Sequence, residues 1–190
     1  MLAAGTLESV MSTHRQRLFF ALRPPPGVLG AIELAAQRLE AAALVRGNWL
    51  KPEKYHITLQ FLGTFECVPD DLIERARRAG AAARFAPIDI ELDRLSTFGD
   101  GHRSPCVLRV SPHSEPALQA FWRELGTALA AQHVDAEARP YLPHLTLAYG
   151  EMKSMHALPI GPIQWRATQF TLMRSHVGQA RHEQLADWPP

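Results

Sequence analysis

A four-residue pattern occurs twice in this chain, as His56-Ile57-Thr58-Leu59 and as His144-Leu145-Thr146-Leu147. Polar and apolar side chains alternate in both copies, which is the period of a β-strand with one buried face. Each copy therefore predicts a strand with an imidazole and a hydroxyl on one face and two aliphatic side chains on the other, toward a core. An imidazole beside a hydroxyl is suited to binding and protonating an oxyanion such as phosphate.

The positions of the two copies indicate an internal repeat. Nearly half of the 190-residue chain separates them, and each is preceded by a segment that contains Pro and Tyr. Each is also followed by a glycine, Gly63 or Gly150, that could end the strand. One motif in each half is typical of two pseudo-equivalent lobes around a shared cleft. Single H-x-T triplets are common in unrelated proteins, but two extended copies at this separation make coincidence a poor explanation.

The rest of the chain alternates predicted helices and strands. Hydrophobic periodicity predicts helices over residues 27–43, 69–83 and 116–132, and strands over 17–22, 57–62, 88–95, 106–110, 145–149 and 165–174. Long helices among mainly antiparallel strands favour an α+β protein of two lobes over a doubly wound parallel sheet. We expect residues 17–190 to form a single bilobal domain and residues 1–16 to be a disordered extension.

Composition excludes some functions without selecting one. A formal net charge of +1 does not supply the basic stripe that binding to a long duplex requires, so any RNA contact should be local. Cys67 and Cys106 lack metal-site spacing and are interpreted as reduced thiols. The amino-terminal segment lacks the basic start of a signal peptide, and no apolar stretch approaches the roughly 18 residues that span a membrane. These features predict a cytoplasmic protein.

Several segments together resemble a known family. They are the first predicted strand and its turn (17–25), the two motifs with their flanks (49–63 and 139–148), the strand at 170–172 and the ending at 188–189. Over about residues 15–189 the chain resembles the two-histidine phosphoesterases, and among them the RNA 2′,3′-cyclic phosphodiesterases once described as 2′-5′ RNA ligases. The resemblance implies two pseudo-symmetric lobes of mainly antiparallel sheet, with flanking helices around a central cleft.

The resemblance also implies an activity: hydrolysis of RNA or nucleoside 2′,3′-cyclic phosphates to 2′-phosphates, without a metal or other cofactor. The catalytic residues would be His56, Thr58, His144 and Thr146. Imidazole has an ordinary pKa near ~6.5, so one ring can act as acid and the other as base, while the hydroxyls donate hydrogen bonds to the phosphate. We expect His56 to protonate the leaving oxygen and His144 to activate water, although the pseudo-symmetry also allows the reverse. The partners would be RNA ends or nucleotides with a 2′,3′-cyclic phosphate, bound by a monomer without membrane contact.

Three aromatic residues are predicted to bind substrate. By resemblance, Phe20 and Tyr141 approach the nucleobase, although Phe20 could equally pack in the core beside Phe19. Tyr149 stands where related proteins often have an Arg that holds the phosphate, and a Tyr hydroxyl supplies no fixed positive charge. Strict alternation would also place Tyr149 on the face opposite His144 unless the strand bulges. The arginines that could compensate are Arg139, Arg174 and Arg181.

Two other interpretations of the motifs remain open. The same chemistry could act on another phosphodiester, such as a 2′-5′ linkage or an ADP-ribose cyclic phosphate, or could carry out reversible 2′-5′ RNA ligation. The chain could also be a non-catalytic module that binds nucleotides or RNA ends, although such a module has no evident need for two titratable rings. The remaining histidines lack metal-ligand spacing and are interpreted as structural or surface residues: His14, His102, His113, His133, His156, His176 and His182.

Overall fold

A computed structural model describes residues 15–99, 104–136, 140–152, 155–178 and 182–189. Most of the predicted extension, residues 1–14, lies outside this range. Gln16 already belongs to the first strand, and its Oε1 accepts a hydrogen bond from the backbone N–H of Val68 at 2.9 Å. No helix in the described ranges is long and apolar enough to span a membrane.

Strands and helices follow one another in an α+β arrangement, as the sequence predicts. In chain order they are β1 (Gln16–Leu22), α1 (Pro26–Ala41), β2 (Val45–Trp49), a short 3-10 helix (Pro52–Lys54), β3 (Ile57–Phe65), α2 (Asp70–Ala82), β4 (Ile88–Thr97), β5 (Ser104–Val110), α3 (Glu115–Ala131), β6 (His144–Met152), β7 (Leu158–Ala167), β8 (Phe170–His176) and β9 (His182–Trp188). The sequence did not predict β2 and β9, which are half-exposed and each pair with one other strand. The predicted strand at 165–174 is two strands, β7 and β8.

The strands form one antiparallel sheet in the order β7-β4-β5-β6-β3-β1-β8-β9, with β2 added beside β6. The two motif-bearing strands, β3 and β6, are neighbours at the middle of this order. Within the described residues they are joined in register at one position, Ile57 opposite Leu145. The sheet therefore divides into two lobes at this seam, and each lobe contributes one motif strand.

One continuous hydrophobic core contains buried residues of both lobes, and two helices cover the lobe formed by β3, β1, β8 and β9. Helices α2 and α3 pack against each other, α2 also contacts β8 and β9, and α3 contacts β3. An aromatic cluster fills the space between helices and sheet: the ring of Phe170 lies 6.0 Å from Phe20, 4.8 Å from Phe121 and 5.3 Å from Trp188. This packing fixes the face of β1 that carries Phe20.

Neither glycine that follows a motif ends its strand, because β3 continues to Phe65 and β6 to Met152. Gly63 has a φ of +138°, a conformation that strongly favours glycine, next to a register shift between β1 and β3. Gly150 lies opposite Gly47 where β2 meets β6, and a Cβ on Gly150 would lie 2.2 Å from the carbonyl oxygen of Arg46. Both glycines are required by backbone geometry inside the sheet.

Candidate active site

The two motifs lie side by side at the seam between the lobes. Because Ile57 faces Leu145 in an antiparallel pair, continuing the register places Thr58 opposite His144 and His56 opposite Thr146. The aliphatic residues of both motifs are buried, whereas the two histidines and two threonines are partly exposed on the other face. The alternation in the sequence thus correctly separated the buried aliphatic side chains from the partly exposed polar ones.

Each of the two histidines is oriented by its own backbone. Nδ1 of His56 lies 2.7 Å from the carbonyl oxygen of Lys54, and Nδ1 of His144 lies 2.6 Å from that of Leu142. A carbonyl oxygen only accepts hydrogen bonds, so each ring donates Nδ1–H and keeps Nε2 for the cleft. The same contact, to a carbonyl two residues earlier, occurs in both halves of the chain.

Both rings are held in the neutral form. Burial lowers the pKa of His56 to about 4, with the Lys54 carbonyl opposing the shift and the positive charges of His182, His144 and Arg23 adding to it. Burial also lowers the pKa of His144, with the Leu142 carbonyl opposing and Arg109 adding. Near pH 7 each Nε2 therefore carries a lone pair, and an anionic phosphate between the rings would raise the pKa of both.

The cleft consists of two adjoining cavities, of about 250 Å³ beside His56 and about 260 Å³ beside His144, and Thr58 and Phe61 line both. We call them the His56 half and the His144 half. The His56 half is further lined by Arg17, Phe19, Leu50, Lys54, His56, Tyr149, Ser175, His176, Val177, Gly178 and His182. The His144 half is further lined by Leu59, Gln60, Phe98, Trp122, Pro140, Tyr141, Leu142 and His144. One half is thus rich in basic side chains, and the other in aromatic ones.

Comparison with known proteins identifies the family. Residues 29–179 match the model of the 2′-5′ RNA ligase superfamily. The chain belongs to this superfamily. Over 181 residues it is 29% identical to the RNA 2′,3′-cyclic phosphodiesterase of Bacillus subtilis (strain 168), covering 92% of this chain and 97% of that one. It is 28% identical over 151 residues to the RNA 2′,3′-cyclic phosphodiesterase of Geobacillus stearothermophilus, covering 75% of this chain and 47% of the longer relative.

Solved structures show that the fold is shared as well. E. coli LigT in complex with 3′-AMP superposes with a TM-score of 0.70 at 23% identity, over 92% of this chain and 97% of LigT. The protein TT0787 of Thermus thermophilus also has a TM-score of 0.70, at 20% identity, over 90% of this chain and 96% of that one. The α+β, two-histidine phosphoesterase fold implied by the sequence is therefore confirmed.

The prediction that Phe20 binds substrate is wrong. Phe20 is fully buried against Phe170 and Trp188, on the core side of β1. Its neighbour Phe19 faces the cleft, where its ring stacks on His56 at a centroid distance of 4.9 Å and an interplanar angle of 28°. Alternation in the sequence did not separate the two, because β1 is buried on both faces from Leu18 to Leu22.

Tyr141 and Tyr149, the two tyrosines predicted to bind substrate, lie in different halves of the cleft. Tyr141 lies in the His144 half, where its ring stacks on Trp122 at 5.6 Å with the planes 4° apart. Its hydroxyl is buried without a hydrogen-bond partner among the described residues, and burial raises its pKa. Tyr149 lies in the His56 half and is 42% exposed. A register shift leaves Leu147 without a partner on β5, and this bulge turns Tyr149 toward the cleft.

Of the three arginines predicted to compensate, the structure describes only Arg174, and its charge is paired. Arg174 donates to Oε2 of Glu183 through Nε and Nη2 at 3.0 and 2.9 Å, which neutralises it, and Arg139 and Arg181 lie outside the described residues. Sequence reasoning missed two arginines on the cleft face. Arg17 lines the His56 half. Arg109 pairs in register with His144, and its guanidinium lies 5.5 Å from the centre of the Phe98 ring.

Two histidines that the sequence assigned to structural or surface roles also line the cleft. The ring of His182 lies 5.6 Å from that of His56 and 6.0 Å from that of Phe19. Burial, followed by the charges of Lys54 and Arg23, lowers the pKa of His182 to about 4. His176 lines the same half, with Nε2 3.7 Å from Oε2 of Glu183. No group of three or more His, Cys, Asp or Glu side chains suited to a metal ion occurs in the described part of the chain.

The lowered pKa values predict that stability depends on pH. His56 and His182 have folded-state pKa values of about 4, below the ~6.5 of an unfolded chain. Between these values the unfolded chain binds more protons, so the free energy of unfolding should fall as the pH is lowered through this window. Thermal unfolding should show a lower Tm at pH 5 than at pH 7.5, and a smaller difference in a His56→Gln/His182→Gln variant. A pH dependence identical in the variant would contradict this explanation.

Proposed function

We propose that this chain is a metal-independent phosphodiesterase that opens 2′,3′-cyclic phosphates on RNA ends or nucleosides and leaves a 2′-phosphate. The observation that carries the proposal is the pair of imidazoles at the seam, one from each lobe, each with Nδ1–H donated to its own backbone and Nε2 left for the cleft. The two curated relatives, both RNA 2′,3′-cyclic phosphodiesterases, support the same substrate class.

The reaction needs a base and an acid on opposite sides of one phosphorus atom. A water oxygen bonds to phosphorus while His144 Nε2 accepts its proton. The bond from phosphorus to O3′ breaks, and protonated His56 delivers a proton from Nε2 to O3′. The Thr58 and Thr146 hydroxyls donate hydrogen bonds to the non-bridging oxygens as negative charge increases there. The product carries the phosphate on O2′, and the two imidazoles have exchanged protonation states.

The lowered pKa values of the two histidines are compatible with either assignment of acid and base. The pKa of His56 is lowered to about 4 by burial and nearby positive charge, so this ring can act as the acid only if the bound anionic phosphate raises its pKa enough for it to take up a proton. The pKa of His144 is lowered as well, so this ring is neutral near pH 7 and able to accept a proton from water. Substrate binding is thus the step that brings a proton to His56.

A substrate with a good leaving group separates the two roles. In a nucleoside p-nitrophenyl phosphodiester, the departing phenolate needs little protonation, so His56→Ala should lose less than about tenfold in kcat/KM, whereas His144→Ala should still lose roughly 10²-fold or more. Release of nitrophenolate, followed by absorbance, measures both variants beside the wild type. The opposite ranking would make His56 the base and His144 the acid.

The direct test of the function is a product analysis. The purified protein would be incubated with adenosine 2′,3′-cyclic phosphate in EDTA, and 2′-AMP and 3′-AMP would be separated by chromatography. We expect 2′-AMP from the wild type and no product from the His56→Ala/His144→Ala double variant. Accumulation of 3′-AMP would contradict the assignment of O3′ as the leaving oxygen, and absence of both products would contradict the proposed activity.

A further inference from the structure

Three side chains form a row across three neighbouring strands in the His56 half. Arg17 on β1 lies directly opposite Ser175 on β8, and Ser175 lies directly opposite His182 on β9. Residues opposite one another on paired strands project from the same face of a sheet. A guanidinium, a hydroxyl and an imidazole therefore stand side by side, and all three line the His56 half. We call these residues the Arg17 row.

The surroundings of the Arg17 row are positively charged. Arg17 and Lys54 line the cavity, no Asp or Glu is found among the described residues that line it, and neither cation forms an ion pair within the described ranges. Arg23 donates to the neutral amide of Gln184 at 2.9 Å and forms no ion pair with any residue that the structure describes. The charges of Lys54 and Arg23 help to lower the pKa of His182, which indicates a positive potential at that ring. An anion is the ligand that fits such a site.

The Arg17 row adjoins the catalytic pair without being part of it. The His182 ring lies 5.6 Å from the His56 ring, so an anion on the row would be next to the reacting phosphate. The other half of the cleft is lined by aromatic rings suited to a base. In a nucleotide whose 2′ and 3′ oxygens carry the reacting phosphate, the next possible phosphoryl group is attached to the 5′ oxygen of the same ribose.

We propose that the Arg17 row binds a second phosphoryl group, the one on the 5′ oxygen of the terminal nucleoside, and so selects substrates that carry it. This inference rests on the proposed function and names its substrate class. The group is either a terminal 5′-phosphate or the phosphodiester that joins the preceding nucleotide of an RNA chain. Both present the same phosphoryl oxygens to Arg17, Ser175 and His182.

Equilibrium binding measurements test whether the Arg17 row binds a phosphoryl group, and they do not require catalytic turnover. Isothermal titration calorimetry would compare 2′-AMP with adenosine 2′,5′-bisphosphate on the wild-type protein. We expect the bisphosphate to bind at least tenfold more tightly, and Arg17→Gln to reduce that ratio to below threefold. Arg38→Gln is the matched control, because this exposed arginine of α1 lines neither half of the cleft, and it should keep the wild-type ratio. Equal affinities on the wild type, or no binding of either nucleotide, would overturn the proposal.

A second variant and a third ligand complete the test. His182→Asn should also lower the ratio of the affinity for the bisphosphate to that for 2′-AMP. If this ratio were unchanged in both Arg17→Gln and His182→Asn, the 5′-phosphoryl group would not bind to the Arg17 row. The dinucleotide ApA with a 2′-phosphate carries the internal phosphodiester but no terminal 5′-phosphate. Tighter binding of ApA-2′-phosphate than of 2′-AMP identifies an RNA chain as the occupant, and tight binding of the bisphosphate alone identifies a terminal phosphate. Preference for the 5′-phosphoryl group without hydrolysis of any cyclic phosphate would reject the proposed activity and retain the anion site.

Discussion

His56→Ala and His144→Ala are each expected to lower kcat/KM for adenosine 2′,3′-cyclic phosphate by roughly 10²- to 10⁴-fold. In the proposed mechanism each substitution removes one of the two Nε2 atoms that exchange protons with the reacting oxygens, and each ring is placed by its own backbone contact. The combined loss in the double variant should be smaller than the product of the single losses, because acid and base act in one step. Initial rates of 2′-AMP formation measure all three variants.

The control for this experiment is His113→Ala. His113 is exposed and lines neither half of the cleft, so its removal should leave the rate within about twofold of the wild type. Circular dichroism and Tm would show that the catalytic variants remain folded. Near-normal turnover by a folded His56→Ala or His144→Ala variant would exclude the two-histidine mechanism.

The second large effect is expected on stability. Phe20→Ala should lower the free energy of unfolding by about 3–5 kcal/mol, because it removes a fully buried ring from the cluster around Phe170 and leaves a cavity there. That is a large part of the roughly 5–15 kcal/mol typical of a whole domain. Urea denaturation at constant pH measures the change. A loss below about 1 kcal/mol would mean that the ring does not pack as described.

Phe19→Leu is the matched substitution on the other face of β1. Leucine replaces the ring with another apolar group, so the stability change should stay below about 1.5 kcal/mol. The stacking contact with His56 is lost, and kcat/KM should fall by about tenfold as the imidazole loses its support. Folded Phe20→Ala should keep the wild-type KM. If Phe20→Ala changed KM and Phe19→Leu did not, the two faces of β1 would have been assigned incorrectly.

The sequence predicted the orientation of side chains where polar and apolar residues alternate within one strand. In the motifs, alternation alone distinguished His56 and Thr58 from buried Ile57, because one face is apolar and the other polar. In β1, residues on both faces are buried and the same reasoning could not distinguish Phe19 from Phe20. The position of Tyr149 depends on a bulge at Leu147, which is a relation between β6 and β5 and has no signature in β6 itself.

The sequence could not predict which residues come together only because strands far apart in the chain pair in a particular register. Arg17, Ser175 and His182 come from three different strands, Arg17 being far from the other two in sequence, and β9 has the weak pattern of a half-exposed edge strand. Nothing within a single segment indicates that such residues will face the same cavity. The fold class could therefore be predicted from the sequence, whereas the side chains that surround the two motifs could be identified only from the pairing of the strands in the sheet.

The hydrogen bond from each catalytic ring to a carbonyl two residues earlier has a consequence for how such a site can arise. The tautomer of each imidazole is set by a hydrogen bond within three consecutive residues. A duplicated segment would carry this arrangement with it. The remaining requirement is relative placement, and the pairing of Ile57 with Leu145 provides it. In the proposed mechanism, two such half-sites and one paired position between the strands bring the acid and the base together.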